Sequence, residues 1–453
     1  MSMTSGVNRR AFLKNVGITA LVGAAGTGPA AAFAPQTIQA DDGTFDFDTP
    51  YNRIGSNCVK WDRQIERFGT GSIEVGMGIA DMDFRSAPCI CKALADRCAH
   101  QNWGYLGSTT SYVDAIVAWN KRRYGLEVDP DTIVLSDGVH PALIATLKTF
   151  APPGSKVLLT TPTYNGFYGD LRASATLAAD SPMTCVNGRY AIDFDDLKSR
   201  IGPDTHTLIL CNPQNPTGNC WSPDDLLKLG RLCLERRVLV LADEIFADLV
   251  MTGQAYTPFS SLPDRAVVDN SVTFKAISKT FSLAAMKTAY FFSTNPSHLE
   301  RIRVNHRAEV NTLGVVASEA AYRQGEPWLD QVLPYLSANH DFVESYVRER
   351  LPLIRYTKAQ GTYLAWLDVS GLIAKIGADE QAAAETKKQE PSRPPVTPEA
   401  VVERWLVEHA KVHMNAGPSY GTGGAGHMRM NLGTSRRLIA RALDNISAAV
   451  AAL

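Results

Sequence analysis

Residues 273–283 read Thr273-Phe-Lys-Ala-Ile-Ser-Lys-Thr-Phe-Ser-Leu283, and Lys279 stands where an apolar, strand-like run ends. A lone lysine indicates little, since most lysines are solvated surface charges. Two upstream segments change that reading. Asp243 follows the apolar run Val238–Ala242, and the run Asn212-Pro-Gln-Asn-Pro-Thr-Gly218 follows another. Because polar groups that follow parallel strands meet at one edge of a sheet, we expect these groups to lie together.

Composition sets the broad class of the protein. The chain has 453 residues, 45% of them hydrophobic and 20% charged, with a net charge of −1. It is long enough to bury a large core and to form two domains. No basic excess indicates nucleic acid or an anionic membrane as a partner. The eight cysteines show no CxxC pair and no metal-ligand spacing, so no metal site is predicted.

The N-terminus has the pattern of an export signal. Paired arginines at Arg9 and Arg10 precede a weakly apolar stretch that closes with small residues at 30–34. This pattern predicts a twin-arginine signal peptide over 1–34, and an amphipathic helix is the alternative. We expect export to the periplasm or the medium, with no membrane anchor after signal removal. A polar linker is expected over 35–50.

Farther along, β-like runs alternate with helical ones. Buried strands are predicted at Lys156–Thr160, Thr207–Cys211 and Val238–Ala242, with an amphipathic helix at Asp224–Arg236. This alternation predicts an α/β fold with a mainly parallel sheet. Residues 377–398 are rich in Ala, Glu, Lys, Gln and Pro without an apolar period, which predicts a flexible insertion in a second α/β region.

An amide, a carboxylate and a lysine in this order are the groups needed to hold pyridoxal 5′-phosphate. Lys279 would form a Schiff base with the cofactor aldehyde. Asp243 would keep the pyridine nitrogen protonated, so that the ring acts as an electron sink. Asn215 would donate to the phenolic oxygen. Since only a neutral amine attacks, the site must lower the pKa of Lys279 by burial and nearby positive charge.

Further candidates surround these three. The stretch Ser136-Asp-Gly-Val-His140 leads from a strand into a helix, so the backbone N–H groups at Gly138 and Val139 are candidates for binding the cofactor phosphate. Ser278 and Lys287 would add donors. The alternative for Lys287 is a solvated lysine, which its apolar neighbours disfavour.

Two more residues are candidate contacts, one for the cofactor ring and one for the substrate. Tyr164 follows a strand and would stack on the pyridine ring, with a core tyrosine as the alternative. Arg429 has apolar neighbours and would bind a substrate α-carboxylate through its planar fork. The alternative is an arginine on an edge strand.

Several segments together resemble one family: fold-type I pyridoxal phosphate enzymes of the aspartate aminotransferase superfamily. The likeness is closer to the carbon–sulfur β-lyase branch of the MalY/PatB type, which includes cystalysin. The segments that carry it are Cys58-Val-Lys-Trp-Asp62, Ile79-Ala-Asp-Met-Asp-Phe84, Trp103-Gly-Tyr-Leu-Gly107, 211–218, 242–245, 278–281, Gly361-Thr-Tyr-Leu-Ala-Trp366 and Met428-Arg-Met-Asn431.

This resemblance implies an architecture and an assembly. It implies a large cofactor-binding domain over 86–330 with a mainly parallel seven-stranded sheet. A small C-terminal α/β domain would cover 331–453, joined by the segment 35–85. The family also implies a homodimer in which Tyr105 reaches the cofactor phosphate of the partner subunit. The segment around Asp81 to Phe84 would help to shape the substrate entrance.

Two positions depart from the family pattern near the chemistry. The lyase branch usually has histidine, and many aminotransferases tyrosine, where this chain has Phe246. A phenyl ring cannot hydrogen-bond the cofactor's phenolic oxygen, which would then depend on Asn215. The lyases also usually have asparagine where this chain has Ser282. Because both changes lie near the chemistry, the substrate and the reaction are the features most open to change from those of the family.

The resemblance implies a lyase that acts on L-cystathionine or an L-cysteine S-conjugate and releases pyruvate, ammonia and a thiol. Arg429 would hold the carboxylate and Lys279 would take the Cα proton. An aminotransferase is the alternative, because it shares the first steps. An exported enzyme that modifies an amino-acid side chain of a metabolite stays open because of Phe246. A non-catalytic homologue is disfavoured by the retained Lys279, Asp243, Asn215 and Arg429.

Overall fold

The computed structural model describes residues 43–453, so the expected signal peptide over 1–34 lies outside the described residues. The strands are β1 Val75–Gly76, β2 Ile133–Ser136, β3 Lys156–Thr161, β4 Leu177–Pro182, β5 Thr184–Val186, β6 Arg189–Ala191, β7 Thr205–Cys211, β8 Leu239–Asp243, β9 Ser271–Lys275, β10 Ala289–Phe292, β11 Leu364–Asp368, β12 Val412–His413, β13 Asn415–Ala416 and β14 His427–Asn431. The α-helices are α1 Asp62–Phe68, α2 Pro88–Ala99, α3 Thr110–Tyr124, α4 Val139–Phe150, α5 Gly166–Ala173, α6 Phe194–Ser199, α7 Pro223–Glu235, α8 Arg265–Asp269, α9 Pro296–Asn305, α10 Thr312–Gln324, α11 Glu326–Arg350, α12 Ser370–Ile376, α13 Ala378–Lys388, α14 Pro398–Trp405 and α15 Arg436–Ala451.

A mixed sheet of seven strands forms the centre of the fold, in the order β2-β10-β9-β8-β7-β3-β4. The strands from β9 through β8, β7 and β3 to β4 pair in parallel, and β10 runs antiparallel to both of its neighbours. Strand β8 is buried along its whole length and β7 at every residue but His206, which matches the nearly continuous apolar runs in the sequence. The predicted fold class, a mainly parallel α/β sheet, is confirmed.

The predicted elements are confirmed with small shifts at their ends. Strands β3, β7 and β8 lie where the apolar runs indicated, and helix α7 covers the predicted amphipathic stretch. Helix α7 begins after Ser222, whose hydroxyl accepts from the Asp225 N–H at 3.1 Å, with Pro223 in the first turn. Caps of this kind explain why its start was readable from the sequence.

A smaller antiparallel sheet, in the order β11-β14-β13, lies in the C-terminal part of the chain. Next to it, β1 pairs in parallel with β12, so residues near 75 join chain near 412. Trp366 and Arg429 are direct partners across β11 and β14. This register turns the odd-numbered residues of β14 to one face and puts Met428 and Met430 in the core on the other.

Two segments differ from their sequence-based descriptions. Helix α13 lies inside the segment 377–398, and its Ala378 and Ala382, spaced by one helical turn, are buried against the C-terminal core. The expected linker contains Phe45 and Phe47, and Phe47 is buried among aromatic rings that include Trp328. Both segments are short of large apolar residues, so their few anchoring side chains do not make a readable period. No helix within residues 43–453 is long and apolar enough to cross a membrane.

Candidate active site

A cavity of about 660 Å³ opens at the carboxyl edge of the seven-stranded sheet. The predicted cofactor residues of the large sheet line this cavity, because they follow strands that end at this edge. They are Gly138 after β2, Tyr164 after β3, Asn215 after β7, Asp243 at the end of β8, and Ser278 and Lys279 after β9. Val139 and Lys287 also line it. Ligands bind at this edge in open α/β sheets, so fold and cavity agree.

Lys279 faces the cavity from the loop that follows β9. Its Nζ donates to the backbone carbonyl of Ala80 at 2.8 Å. Burial, followed by the positive charges of Arg429 and Lys287, lowers the pKa of this amine from 10.5 to about 8. A substantial fraction of the amine is therefore neutral near physiological pH and able to attack an aldehyde.

Asp243 ends β8 with its carboxylate buried beside the cavity. Oδ1 accepts from the Ile245 N–H at 3.1 Å, and no side-chain donor among residues 43–453 bonds this carboxylate. Burial raises its pKa to about 6. A buried acid with a free acceptor needs a cation or a donor, and a pyridinium N–H has the required charge and shape.

Asn215 and Arg429 are joined although 214 residues separate them. Arg429 Nη1 donates to Asn215 Oδ1 at 3.1 Å, and Nη2 donates to the Gly78 carbonyl at 2.7 Å. The contact orients Asn215 so that its amide N–H groups, which have no partner in the described part of the chain, are left for the cavity. The Arg429 Nε–H is buried and also has no partner there. An unpaired buried guanidinium N–H is suited to a carboxylate ligand.

The predicted phosphate turn has the backbone that an anion site needs. Gly138 caps helix α4 with φ of 153°, a conformation that L side chains rarely adopt. The first turn of α4, beginning at Val139, leaves backbone N–H groups without partners inside the helix. Lys287 also borders the cavity, in a left-handed conformation at φ of 51°. Ser278 lines the same space.

Two interacting residues beside Tyr164, His140 and Asp170, were not predicted from the sequence, and His140 itself lines the cavity. His140 Nδ1 lies 2.8 Å from the Asp170 carboxylate, and His140 Nε2 lies 3.3 Å from the Tyr164 hydroxyl. The hydrogen bond to Asp170 raises the pKa of His140. The pair therefore fixes the tyrosine at the cavity wall. The sequence around His140 predicts the phosphate turn but no role for the histidine, and Asp170, 30 residues further along the chain, lies in no motif.

Residues 78–83, which we call the strap, precede the large sheet in the chain and contact residues of the site. The Ala80 carbonyl accepts from Lys279 and, at 3.0 Å, from the Tyr363 hydroxyl. Asn431 Nδ2 donates to the carbonyls of Ile79 and Asp81. The strap thus contacts the lysine and both polar residues of β14 near it. From the sequence, the strap was predictable only as a family motif, because it makes these contacts through its backbone carbonyls.

The two departures from the family pattern both touch this region. Phe246 lines the cavity and is buried, with its ring centroid 6.0 Å from Lys279 Nζ and 5.7 Å from the Tyr363 ring. Ser282 adopts φ of 56°, and its hydroxyl accepts from the Met82 N–H at 2.9 Å. A serine here therefore connects the lysine loop to the strap.

Tyr105 is not brought to the site of its own chain. Its side chain is fully exposed, in a segment without helix or strand, and it lines a separate cleft of about 700 Å³. Its expected contact with a partner subunit stays a prediction. The described residues contain no cluster of metal-binding side chains.

The groups that face the cavity can be matched with the parts of pyridoxal phosphate. A buried, unpaired carboxylate, an amine of lowered pKa and an anion-binding helix start face one cavity of about 660 Å³. Each matches one part of the cofactor: the ring nitrogen, the aldehyde and the phosphate. The residues fit the cofactor.

Comparison with known proteins also indicates a pyridoxal phosphate enzyme. Cystathionine beta-lyase PatB of Bacillus subtilis (strain 168) is 36% identical over 411 residues, which cover 89% of this chain and 99% of PatB. Arginine–pyruvate transaminase AruH of Pseudomonas aeruginosa is 22% identical over 394 residues, 83% of this chain and 91% of AruH.

Among solved structures, cystalysin from Treponema denticola, which contains pyridoxal 5′-phosphate, aligns with a TM-score of 0.80 and 27% identity. The alignment covers 90% of this chain and 100% of cystalysin. Residues 72–446 match the family described as aminotransferase class I and II. The chain therefore belongs to the aminotransferase class I and II family and is a pyridoxal phosphate-dependent enzyme.

Proposed function

We propose that the protein is a carbon–sulfur β-lyase that acts on L-cystathionine or an L-cysteine S-conjugate. The substrate and water would give pyruvate, ammonia and a thiol. The observation that carries the proposal is the 36% identity to PatB over nearly the whole of both chains. The site supplies the groups that this reaction needs.

Arg429 is the substrate-binding residue in this proposal. Its guanidinium is held by Asn215 and Gly78, and its Nε–H is left without a partner in the described chain. A substrate α-carboxylate would accept from this edge and fix the amino acid with its Cα toward Lys279. The loss of Arg429 should raise KM for every amino-acid substrate.

Lys279 moves the proton. Its pKa of about 8 would let the amine accept the substrate Cα proton and then donate it, as a general acid, to the sulfur of the leaving thiolate. The bound cofactor supplies an electron sink that stabilises negative charge at Cα. Asp243, which lines the cavity, would support that role by holding the ring nitrogen protonated. The Ala80 carbonyl accepts a hydrogen bond from the Lys279 amine and thereby orients it.

A screen that measures pyruvate, ammonia and thiol together tests this function. L-cystathionine and S-alkyl-L-cysteines should give the three products in equal amounts over many turnovers. The matched Lys279→Ala variant should give none. If wild-type protein carrying its cofactor releases none of the three products from any of these substrates, the proposal is wrong.

An aminotransferase is the second candidate, favoured by the transaminase AruH among the relatives. The same residues would bind the amino acid, and Lys279 would return the proton to the cofactor side. One amino group would then stay on the protein, so a keto acid appears only stoichiometrically until an acceptor keto acid is added. Turnover that requires such an acceptor identifies this reaction.

We also propose a homodimer. The support is the exposed aromatic pair Trp103 and Tyr105, beside a cleft whose lining includes Leu106, Val310 and Leu313. Exposed aromatics of this size are typical of interfaces. Sedimentation should give twice the mass of the chain, and a monomer that keeps full activity would contradict it.

Export by the twin-arginine route rests on the sequence of residues 1–34 alone. Replacing Arg9 and Arg10 by lysines should keep the protein inside the cell. An unchanged distribution between cell and medium or periplasm would exclude this route.

A further inference from the structure

The strap carries two aspartates whose surroundings differ sharply. Asp83 is sealed: its carboxylate pairs with Lys60 at 2.7 Å and accepts from the Trp61 indole at 3.1 Å, and the side chains of both Asp83 and Lys60 are 0% exposed. Arg53 pairs with both aspartates, at 3.0 Å from Asp83 and 2.9 Å from Asp81, and the side chains of Asp81 and Arg53 are 20% and 18% exposed. The pair of Asp81 and Arg53 therefore keeps contact with solvent and can meet a ligand, whereas the Asp83 carboxylate cannot.

Arg53 is held independently of Asp81. Its Nη1 also donates to Asp83 Oδ1 at 3.0 Å and to the Met82 carbonyl at 3.3 Å. Its Nη2 has Asp81 Oδ2, at 3.1 Å, as its one partner among residues 43–453. The Arg53 guanidinium would therefore stay in place if the Asp81 carboxylate accepted a hydrogen bond from a ligand. Nη2 would then be left to donate elsewhere.

The pair also lies next to the reacting centre. Asp81 directly follows Ala80, whose carbonyl is 2.8 Å from Lys279 Nζ, and adjacent Cα atoms are about 3.8 Å apart. The Asp81 charge acts on Lys279 and raises its pKa, against the larger lowering by burial and by Arg429. The Asp81 carboxylate is thus within electrostatic range of the atom that would take the substrate proton.

We propose that Asp81 and Arg53 bind the charged far end of a zwitterionic thioether such as L-cystathionine; the inference rests on the lyase function proposed above. Asp81 would accept from the distal ammonium group, and Arg53 Nη2 would donate to the distal carboxylate. The near carboxylate stays with Arg429. The two opposite charges of Asp81 and Arg53, next to the strap carbonyl that contacts Lys279, match two opposite charges on the ligand. Selectivity of this kind comes from paired rather than net charge.

A purely structural role for the pair predicts something different. Arg53 could simply fasten the N-terminal segment to the strap, and its loss would then affect all substrates alike. Any effect of Asp81 on the pKa of Lys279 would also act equally on all substrates. The ratio of kcat/KM between a substrate with a charged tail and one without isolates recognition from both effects.

Asp81→Asn and Arg53→Gln should each lower kcat/KM for L-cystathionine about 10- to 100-fold relative to S-ethyl-L-cysteine, mainly through KM, as expected for a lost charge-assisted hydrogen bond. Asp204→Asn is the matched control. This exposed aspartate pairs with Lys156 at the amino end of β3, the opposite edge of the sheet. It should leave the ratio unchanged. Cofactor absorbance and thermal melting show whether each variant is folded.

The outcomes separate cleanly. A selective loss with L-cystathionine in either folded variant supports the inference. Equal losses with both substrates, or no loss with either, overturn it and leave the lyase function standing. If the wild type releases pyruvate from neither substrate, the lyase function itself fails, and this inference fails with it.

Discussion

Two lysines four residues apart in the same stretch, Lys275, which is buried, and Lys279, which is half-buried, have opposite surroundings. Lys275 ends β9 inside a closed cluster, with its Nζ 3.5 Å from Glu244 and 3.8 Å from the ring centroid of Tyr124. Lys279 faces the cavity and has a backbone carbonyl as its hydrogen-bond partner. Burial lowers the pKa of both amines. Burial therefore does not identify the reactive lysine.

The partners make the difference. Lys275 has a carboxylate and two aromatic rings around it, so its charge is compensated where it lies. Around Lys279, burial and the positive charges of Arg429 and Lys287 disfavour a protonated amine and outweigh the opposite effect of Asp81 and Asp243 on its pKa. A lysine in a closed, compensated cluster stabilises the fold, and one beside cations and a cavity is available for chemistry.

Replacing Lys279 by alanine should break the cavity side of this comparison most strongly. We expect the rate of product release to fall at least about 1,000-fold, because both the covalent attachment and the proton transfer are lost. The free energy of unfolding at pH 7 should not fall. The folded-state pKa of about 8 lies below the usual 10.5, so this lysine destabilises the folded protein at pH 7, and its removal relieves that cost. Activity assays and chemical denaturation measure the two effects. A fully active variant would contradict the role of Lys279.

Lys275→Met should have the converse effect. Breaking the buried pair leaves Glu244 Oε2 uncompensated and should cost about 3–5 kcal/mol of unfolding free energy. Folded protein should keep cofactor absorbance and activity. The double variant with Glu244→Gln is the matched control and should recover much of the stability. Normal stability together with a lost cofactor would reverse the assignment of the two lysines.

The pH dependence of cofactor capture sharpens the contrast. In cofactor-free protein the neutral form of Lys279 is the nucleophile, so the capture rate should rise about tenfold per pH unit below pH 7 and level off above about pH 8. A free lysine derivative, with its ordinary pKa, should keep accelerating beyond that point. Stopped-flow absorbance measures both rates. A protein rate that still climbs steeply at pH 10 would mean that the pKa of Lys279 is not lowered.

The smallest effect is expected at Phe246. In Phe246→Tyr the new hydroxyl enters the cavity and can donate to the cofactor, so kcat should change by about two- to tenfold, with a shifted pH profile of the visible absorbance. Phe246→Leu removes the ring without adding a donor. Identical profiles for the two variants would show that packing against Tyr363, rather than hydrogen bonding, sets the role of this position.

Much of the cavity wall was predictable from the sequence, because each residue follows an apolar run that ends at the same sheet edge. Asp243 and Lys279 are such cases, and the predicted seven-stranded sheet is confirmed. The strap was predictable only as a motif, since its carbonyl at Ala80 meets Lys279 across 199 residues. The link between His140 and Asp170, and the buried alanines of α13, depend likewise on tertiary contacts that no local period reveals.

The central claim is that Lys279, and not Lys275, carries the cofactor. Borohydride reduction of the cofactor-loaded protein, followed by peptide mapping, tests it directly, because reduction makes the linkage permanent. The account predicts one modified peptide, with pyridoxyl phosphate on residue 279. Modification at residue 275, or no modified lysine in fully loaded protein, would contradict it.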